Sequence, residues 1–249
     1  MTVLGSLQAE LAASTNRLLA TAATLTDDDV AAPSLLPGWS RGHVLAHVAR
    51  SADSHLNLYA WAATGVPTPQ YPSDAARTAG IEAGASRPAA EQLADLADSA
   101  ARLAAAVRKL PPEAWRAIVD EPHAHPAWYL LVRRLREVCF HHVDLAAGFG
   151  PGDWPEPFVR RELHHCLAWW PQDGGGIGEV RAGGQVWRDL GGSARVAGPA
   201  AEVLAWLTGR SPEGFGVRVE AREGAAPGPP PWRPAAPADL PATPPEEYP

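Results

Sequence analysis

The chain has 249 residues, 46% hydrophobic and 20% charged, which suits a folded soluble protein with room for two smaller cores. Its formal net charge is -7 and no Lys/Arg block occurs, which argues against nucleic-acid binding. The two cysteines, Cys139 and Cys166, form no CxxC pair, no run approaches ~18 apolar residues and the N-terminus has no cleavable signal pattern. A disulfide framework and a membrane span are therefore not expected, and a cytoplasmic location is.

Apolar residues at helical spacing in "LQAELAASTNRLLATAATL" predict a first helix, interrupted by "DDD" at 27–29 and "PSLLPG" at 33–38. Ser40 is an N-cap candidate for a second helix that runs to about Thr64 and stops at Gly65. Three prolines and two glycines make 66–87 a long loop with at most one turn. A third helix begins near Pro88 and is closed by Pro111 and Pro112; a fourth runs from about Trp128 to Ala147. Four amphipathic helices joined by loops suggest a bundle. After "GFGPGDWPEP" the texture changes. One helix at 156–170 precedes short β-like segments, with a hairpin at Gly183-Gly184 and a helix in "PAAEVLAWLTGR". The expected organisation is a helical bundle over 1–150, a small α/β domain over 155–223 and a proline-rich extended or disordered tail over 224–249.

The fourth helix carries "LREVCFHHVDL". Glu137 and His141 lie four apart and so share a face, Asp144 follows three later, and His142 points about 100° away. On the second helix His43 and His47 are again four apart, and His55 lies eight beyond His47. Two ligands from one helix and one from the other would hold a divalent ion with a fourth position open, the catalytic pattern for zinc; nickel also suits nitrogen and oxygen ligands. The plain alternative is that Glu137 pairs with Arg133 or Arg134 and that His141 is an ordinary buried histidine. Cys139 points away from the Glu137 face and reads as core packing, as does Cys166. The loop "PHAHP" reads as solvent-exposed, and His164 and His165 have no acidic partner at helical spacing.

The stretches "LLPGWSRGHVLAHVARSADSHLNLYAWAATG", "RLREVCFHHVDLAAGFGPGDWP" and "GPAAEVLAWLTGR", in that order, resemble the mycothiol-dependent maleylpyruvate isomerase family of actinobacteria. The resemblance covers nearly the whole chain up to the tail. It implies an α+β fold: a DinB-like four-helix bundle holding a divalent metal, usually zinc, followed by a small α/β C-terminal domain. The family's metal triad falls on His47, Glu137 and His141, and the "HVLAH" match prefers His47 over His43. A functional arginine of the C-terminal domain falls on Arg210, with a mycothiol-binding and catalytic role. Two features depart from the family: "LLVRRLREV" stands where a tryptophan-methionine pair is common, and "VDEPHAHPAWYL" replaces a polar, glycine-containing loop.

The resemblance implies an isomerase that uses mycothiol as a thiol cosubstrate and acts on an electrophilic unsaturated small molecule. Arg210, with Arg134 as a second candidate, would clamp a substrate carboxylate. Asp144 would steer a ligand histidine, with helix-surface pairing as its plain alternative. Two other readings stay open: a mycothiol S-transferase that conjugates an electrophile, and a non-enzymatic metal- or thiol-binding module. A monomer without nucleic-acid or membrane partners is expected.

Overall fold

The computed structural model describes residues 2–120, 124–168, 170, 176–210, 216–221, 224–229 and 240–245. Among these are eight α-helices and two small sheets. Contacts divide the chain into two compact units: Met1–Phe149 with Ala236–Glu246, and Gly150–Ala235 with Glu247–Pro249. No helix among the described residues is long and apolar enough to cross a membrane.

In the first unit, α1 (Val3–Ala22) is capped by the Thr2 hydroxyl. The aspartates at 27–29 do more than interrupt it. They form the short α2 (Asp27–Ala31), because the Thr26 hydroxyl and the Asp29 carboxylate accept each other's backbone N–H in a capping box. Helix α3 (Arg41–Thr64) starts where the Ser40 hydroxyl accepts from the His43 amide, and it ends at Gly65, whose φ of 73° suits glycine.

The expected long loop over 66–87 is corrected by the structure: Asp74–Ala85 forms helix α4, capped by the Ser73 hydroxyl. Its glycines marked a loop by propensity, yet here they serve packing. A Cβ on Gly84 would stand 2.8 Å from the Ala46 Cβ, so this glycine lets α4 lie close against α3. From the α3 side, a Cβ on Gly42 would meet the Ala85 carbonyl oxygen at 2.1 Å. Close backbone approach outweighs the ~1 kcal/mol that glycine costs a helix.

Helix α5 (Ala89–Lys109) follows Pro88, and a two-stranded ladder pairs β1 (Ile118–Val119) with β2 (His125–Pro126) before α6 (Tyr129–Asp144). Helix α1 packs on α5 and α6, and α3 packs on the same two. Leu18, Val44, Leu45, Val48, Leu96 and Val138 meet in the buried core, each contributing roughly 1.5–3 kcal/mol.

Two arginines tie α3 to α6. The Arg41 guanidinium donates to the Leu145 and Ala146 carbonyls at 2.6 and 2.9 Å, just past the carboxyl end of α6, where a cation is favoured. One turn before Glu137, Arg134 Nη1 donates to the Val48 carbonyl at 2.9 Å. These ties bracket the stretch of α3 and α6 that carries the candidate ligands. In the tail, the Pro241 carbonyl accepts from the Trp128 indole N–H at 2.9 Å; residues 230–239 and 246–249 of the tail lie outside the described residues.

The second unit has α7 (Glu156–Ala168) and a four-stranded sheet in the order β4-β3-β5-β6. β3 (Ile177–Ala182) and β4 (Gln185–Trp187) form the expected hairpin, with Gly183 and Gly184 at φ 57° and 79°. Both left-handed residues match the twist of the flanking strands. β5 (Ala194–Gly198) runs parallel to β3, and β6 (Arg218–Glu220) antiparallel to β5. Helix α8 (Ala200–Leu207) follows Pro199, buries Val203 and Leu204, and packs on α7.

Candidate metal centre

Helical phase places Glu137 and His141 one turn apart on α6, and the arginine ties set His47 of α3 opposite them. His47 Nε2 lies 2.9 Å from Glu137 Oε2 and 3.0 Å from His141 Nε2. His141 Nε2 lies 3.7 Å from the same carboxylate oxygen. Three donors on a tetrahedral ion with bonds of ~2.0–2.1 Å stand roughly 3.3 Å apart. The observed spacings bracket that value, and the donor set of two imidazoles and a carboxylate suits zinc and related divalent ions. Glu137 keeps 31% of its side chain exposed, while its Oε2, the oxygen that faces the two histidines, is buried.

The protonation states also fit. Burial holds the His47 imidazole below its ordinary range, against the pull of Glu137. Burial opposes charge on Glu137, but its contacts with His47 and then His141 outweigh it and keep its carboxyl well below the usual range. A neutral imidazole beside an ionised carboxylate is the state a metal requires.

Each histidine has a neighbour on its far nitrogen. His141 Nδ1 lies 2.8 Å from Asp144 Oδ2, so the carboxylate accepts a hydrogen bond from Nδ1–H and leaves the Nε2 lone pair facing the cluster. Asp144 is buried, which rules out the helix-surface pairing considered for it. The geometry predicts that Asp144→Ala weakens zinc affinity by roughly 10–100-fold. Competition with a chromogenic chelator measures this, and an unchanged affinity would remove Asp144 from the centre. His47 Nδ1 faces Arg77 Nη2 at 3.4 Å. When His47 Nε2 ligates a metal, Nδ1 carries the ring proton and can no longer accept from Arg77. The guanidinium also sits 6.0 Å from the Tyr71 ring centroid. Sequence reasoning missed Arg77 because it lies on α4, within the segment read as loop.

Other candidates stand elsewhere. His43 serves the start of α3, its Nδ1 2.8 Å from Ser40 Oγ, and lies 3.4 Å from Glu82. His142 points to α1, with Nε2 2.7 Å from Thr21 Oγ1, and stacks on Phe149. Cys139 is buried, and Cys166 is partly buried. Arg134 is buried with its bond to Val48; it also lines an apolar cleft of about 520 Å³ between α1 and α5. Arg210, in the second unit, donates from Nη1 to the Thr208 carbonyl at 3.0 Å. In that unit His164 is half-buried and His165 buried.

The "PHAHP" loop corrects the expectation of solvent exposure. His123 lies outside the described residues, but His125 is fully buried, 2.8 Å from Arg133, and Arg133 also bonds Asp120 and Gln70. The Asp120 carboxyl is held down at about 2: the hydrogen bond from His125 and the Arg133 charge outweigh burial, which opposes its ionisation.

The model of the mycothiol maleylpyruvate isomerase N-terminal domain matches residues 11–146. A solved structure described as the mycothiol-dependent maleylpyruvate isomerase is similar to this chain at 30% identity, with a TM-score of 0.83, 92% of this chain and 97% of that chain covered. A histidine-to-alanine mutant of that enzyme is similar at 29% identity, with the same TM-score and coverage. No curated protein matches. Family model, fold and sequence agree, and the chain belongs to the mycothiol-dependent maleylpyruvate isomerase family.

Proposed function

We propose that the protein is a metal- and mycothiol-dependent cis-trans isomerase that converts maleylpyruvate or a related compound into its trans isomer. The observation that carries this reading is the convergence of His47, Glu137 and His141 within 4.8 Å, in a chain whose fold matches an enzyme described as that isomerase. In this reading α1, α3, α5 and α6 form a DinB-like four-helix bundle around the centre. The three side chains hold one divalent ion, zinc by the donor set. A cation bound there stabilises a small-molecule thiol as its thiolate near neutral pH.

The chain's own residues supply the rest. Asp144 keeps the His141 ring turned to the centre. Arg77 offers a charge beside it, and Arg210, with Arg134 as second candidate, binds a carboxylate of substrate or thiol. Thiolate addition to the conjugated cis double bond forms one C–S bond and moves the electron pair onto the carbonyl oxygen. Rotation about the resulting single bond and collapse of the enolate break the same C–S bond, giving the trans alkene and the thiol again.

A second reading, S-transfer of mycothiol to an electrophile, draws on Arg133 and its partners standing where the family pattern differs. Incubating zinc-loaded protein with mycothiol and maleylpyruvate separates the two by product. Fumarylpyruvate with mycothiol undiminished is the expected result. A stable conjugate favours the transferase, and metal-free protein or no reaction sinks the isomerase.

A further inference from the structure

Counting by fours from His47 along α3 gives Ser51, His55 and Tyr59, a polar ladder leading away from the triad. All three are buried, at 2%, 1% and 2% exposure. Among the described residues, Ser51 Oγ, His55 Nε2 and Tyr59 Oη each have no hydrogen-bond partner. A buried polar group left unmet costs roughly 1–3 kcal/mol, and three on one helical face beside a candidate metal ligand call for an occupant.

The ladder's chemistry is set by its one satisfied atom. His55 Nδ1 lies 2.7 Å from the Ser51 carbonyl, so it carries the proton, and Nε2 presents a lone pair. Tyr59 and Ser51 present hydroxyl donors. Burial keeps the Tyr59 phenol protonated and the His55 imidazole neutral. His55 stands near enough to Glu137, Arg133 and Arg134 for their charges to act on it. Helical side chains lean toward the N-terminal end, and the His55 ring accordingly reaches back to the Ser51 carbonyl one turn before it. An acceptor flanked by donors matches a group that itself both donates and accepts.

We propose that Ser51, His55 and Tyr59 form an inner subsite for the 1,3-dicarbonyl end of the substrate in its enol form. Tyr59 donates to the carbonyl oxygen, and His55 Nε2 accepts from the enol hydroxyl. This subsite rests on the isomerase reading. A ligand lacking that group leaves the ladder unmet.

Tyr59→Phe tests it, because the hydroxyl alone is removed. The expected result is unchanged zinc content, a melting temperature equal to or above that of the wild type, and a KM for maleylpyruvate raised roughly tenfold or more. The KM for mycothiol should stay within about twofold, since the thiol end makes no contact with the ladder in this assignment. A stabilised variant with an unchanged maleylpyruvate KM overturns the subsite and leaves the isomerase standing. A zinc-loaded wild type that converts no maleylpyruvate overturns both. Should Tyr59→Phe fold poorly, the ¹⁵N resonance of His55 Nε2 decides. In zinc-loaded wild type without mycothiol it moves on saturation with maleylpyruvate, and an unmoved signal rejects the assignment.

Discussion

His47→Ala, Glu137→Gln and His141→Ala proteins are each expected to purify without stoichiometric divalent metal and to lose mycothiol-dependent turnover by about a hundredfold to a thousandfold or more. The geometry sets the size of the effect. Three donors at mutual distances of 2.9, 3.0 and 3.7 Å enclose one position, and any single loss leaves two donors for an ion that needs three from the protein. Glu137→Gln is the sharpest of the three, because it keeps shape and packing while removing the only negative donor. Metal analysis of each variant, with circular dichroism to show an intact helical unit, separates loss of the centre from loss of the fold. Chelation of the wild type should reproduce the loss, and added zinc should reverse it only where all three ligands are present. A variant that retains a full equivalent of metal would exclude its residue from the centre.

Acid should destabilise the protein from about pH 6.5 downward, well above the range where exposed carboxylates titrate. His55 is the main cause. Its burial, and then the Arg133 and Arg134 charges, hold its folded pKa at about 3 against an ordinary value of 6.5. The unfolded chain therefore binds a proton at His55 that the folded chain refuses. Stability tied to this group is fully present above about pH 6.5 and is lost as pH falls toward about 3. Between about pH 7 and pH 5 the loss from His55 is roughly 2 kcal/mol. Urea unfolding of wild type and His55→Gln at the two pH values measures it, and the variant should lose less. Burial also lowers His47 and His164, so a residual slope remains in the variant. Asp120 acts in a lower window: its carboxyl, held at about 2, contributes stability that is lost only from about pH 4 downward. An identical pH dependence for wild type and His55→Gln would show that the imidazole protonates freely in the fold.

Much of this molecule was readable from local pattern. The helical period alone put Glu137, His141 and Asp144 on one face of α6 and turned His142 away, and the structure shows that face toward α3 and His142 toward α1. The caps at Ser40 and Gly65 and the paired glycines of the β3–β4 hairpin were likewise legible, because each satisfies a backbone requirement within a few residues. Resemblance, not spacing, selected His47 over His43. The structure gives the physical counterpart: His43 sits on the first turn of α3, turned back to Ser40, while His47 lies one turn further in, opposite α6.

What escaped the sequence depended on groups distant along the chain. Helix α4 was read as loop because glycine propensity is local, whereas the reason for Gly84 is Ala46 of a neighbouring helix. Arg77 went unseen with it. Arg134, the second candidate for a carboxylate clamp, has as its partner a carbonyl 86 residues away. His125 looked solvated until Arg133 and Asp120 were found around it. Sequence by itself determined which residue types lie on which helical face, since that follows from backbone geometry. Tertiary structure decided which faces meet, which polar groups are buried, and hence which imidazoles stay neutral, since those depend on long-range packing and the solvent it excludes.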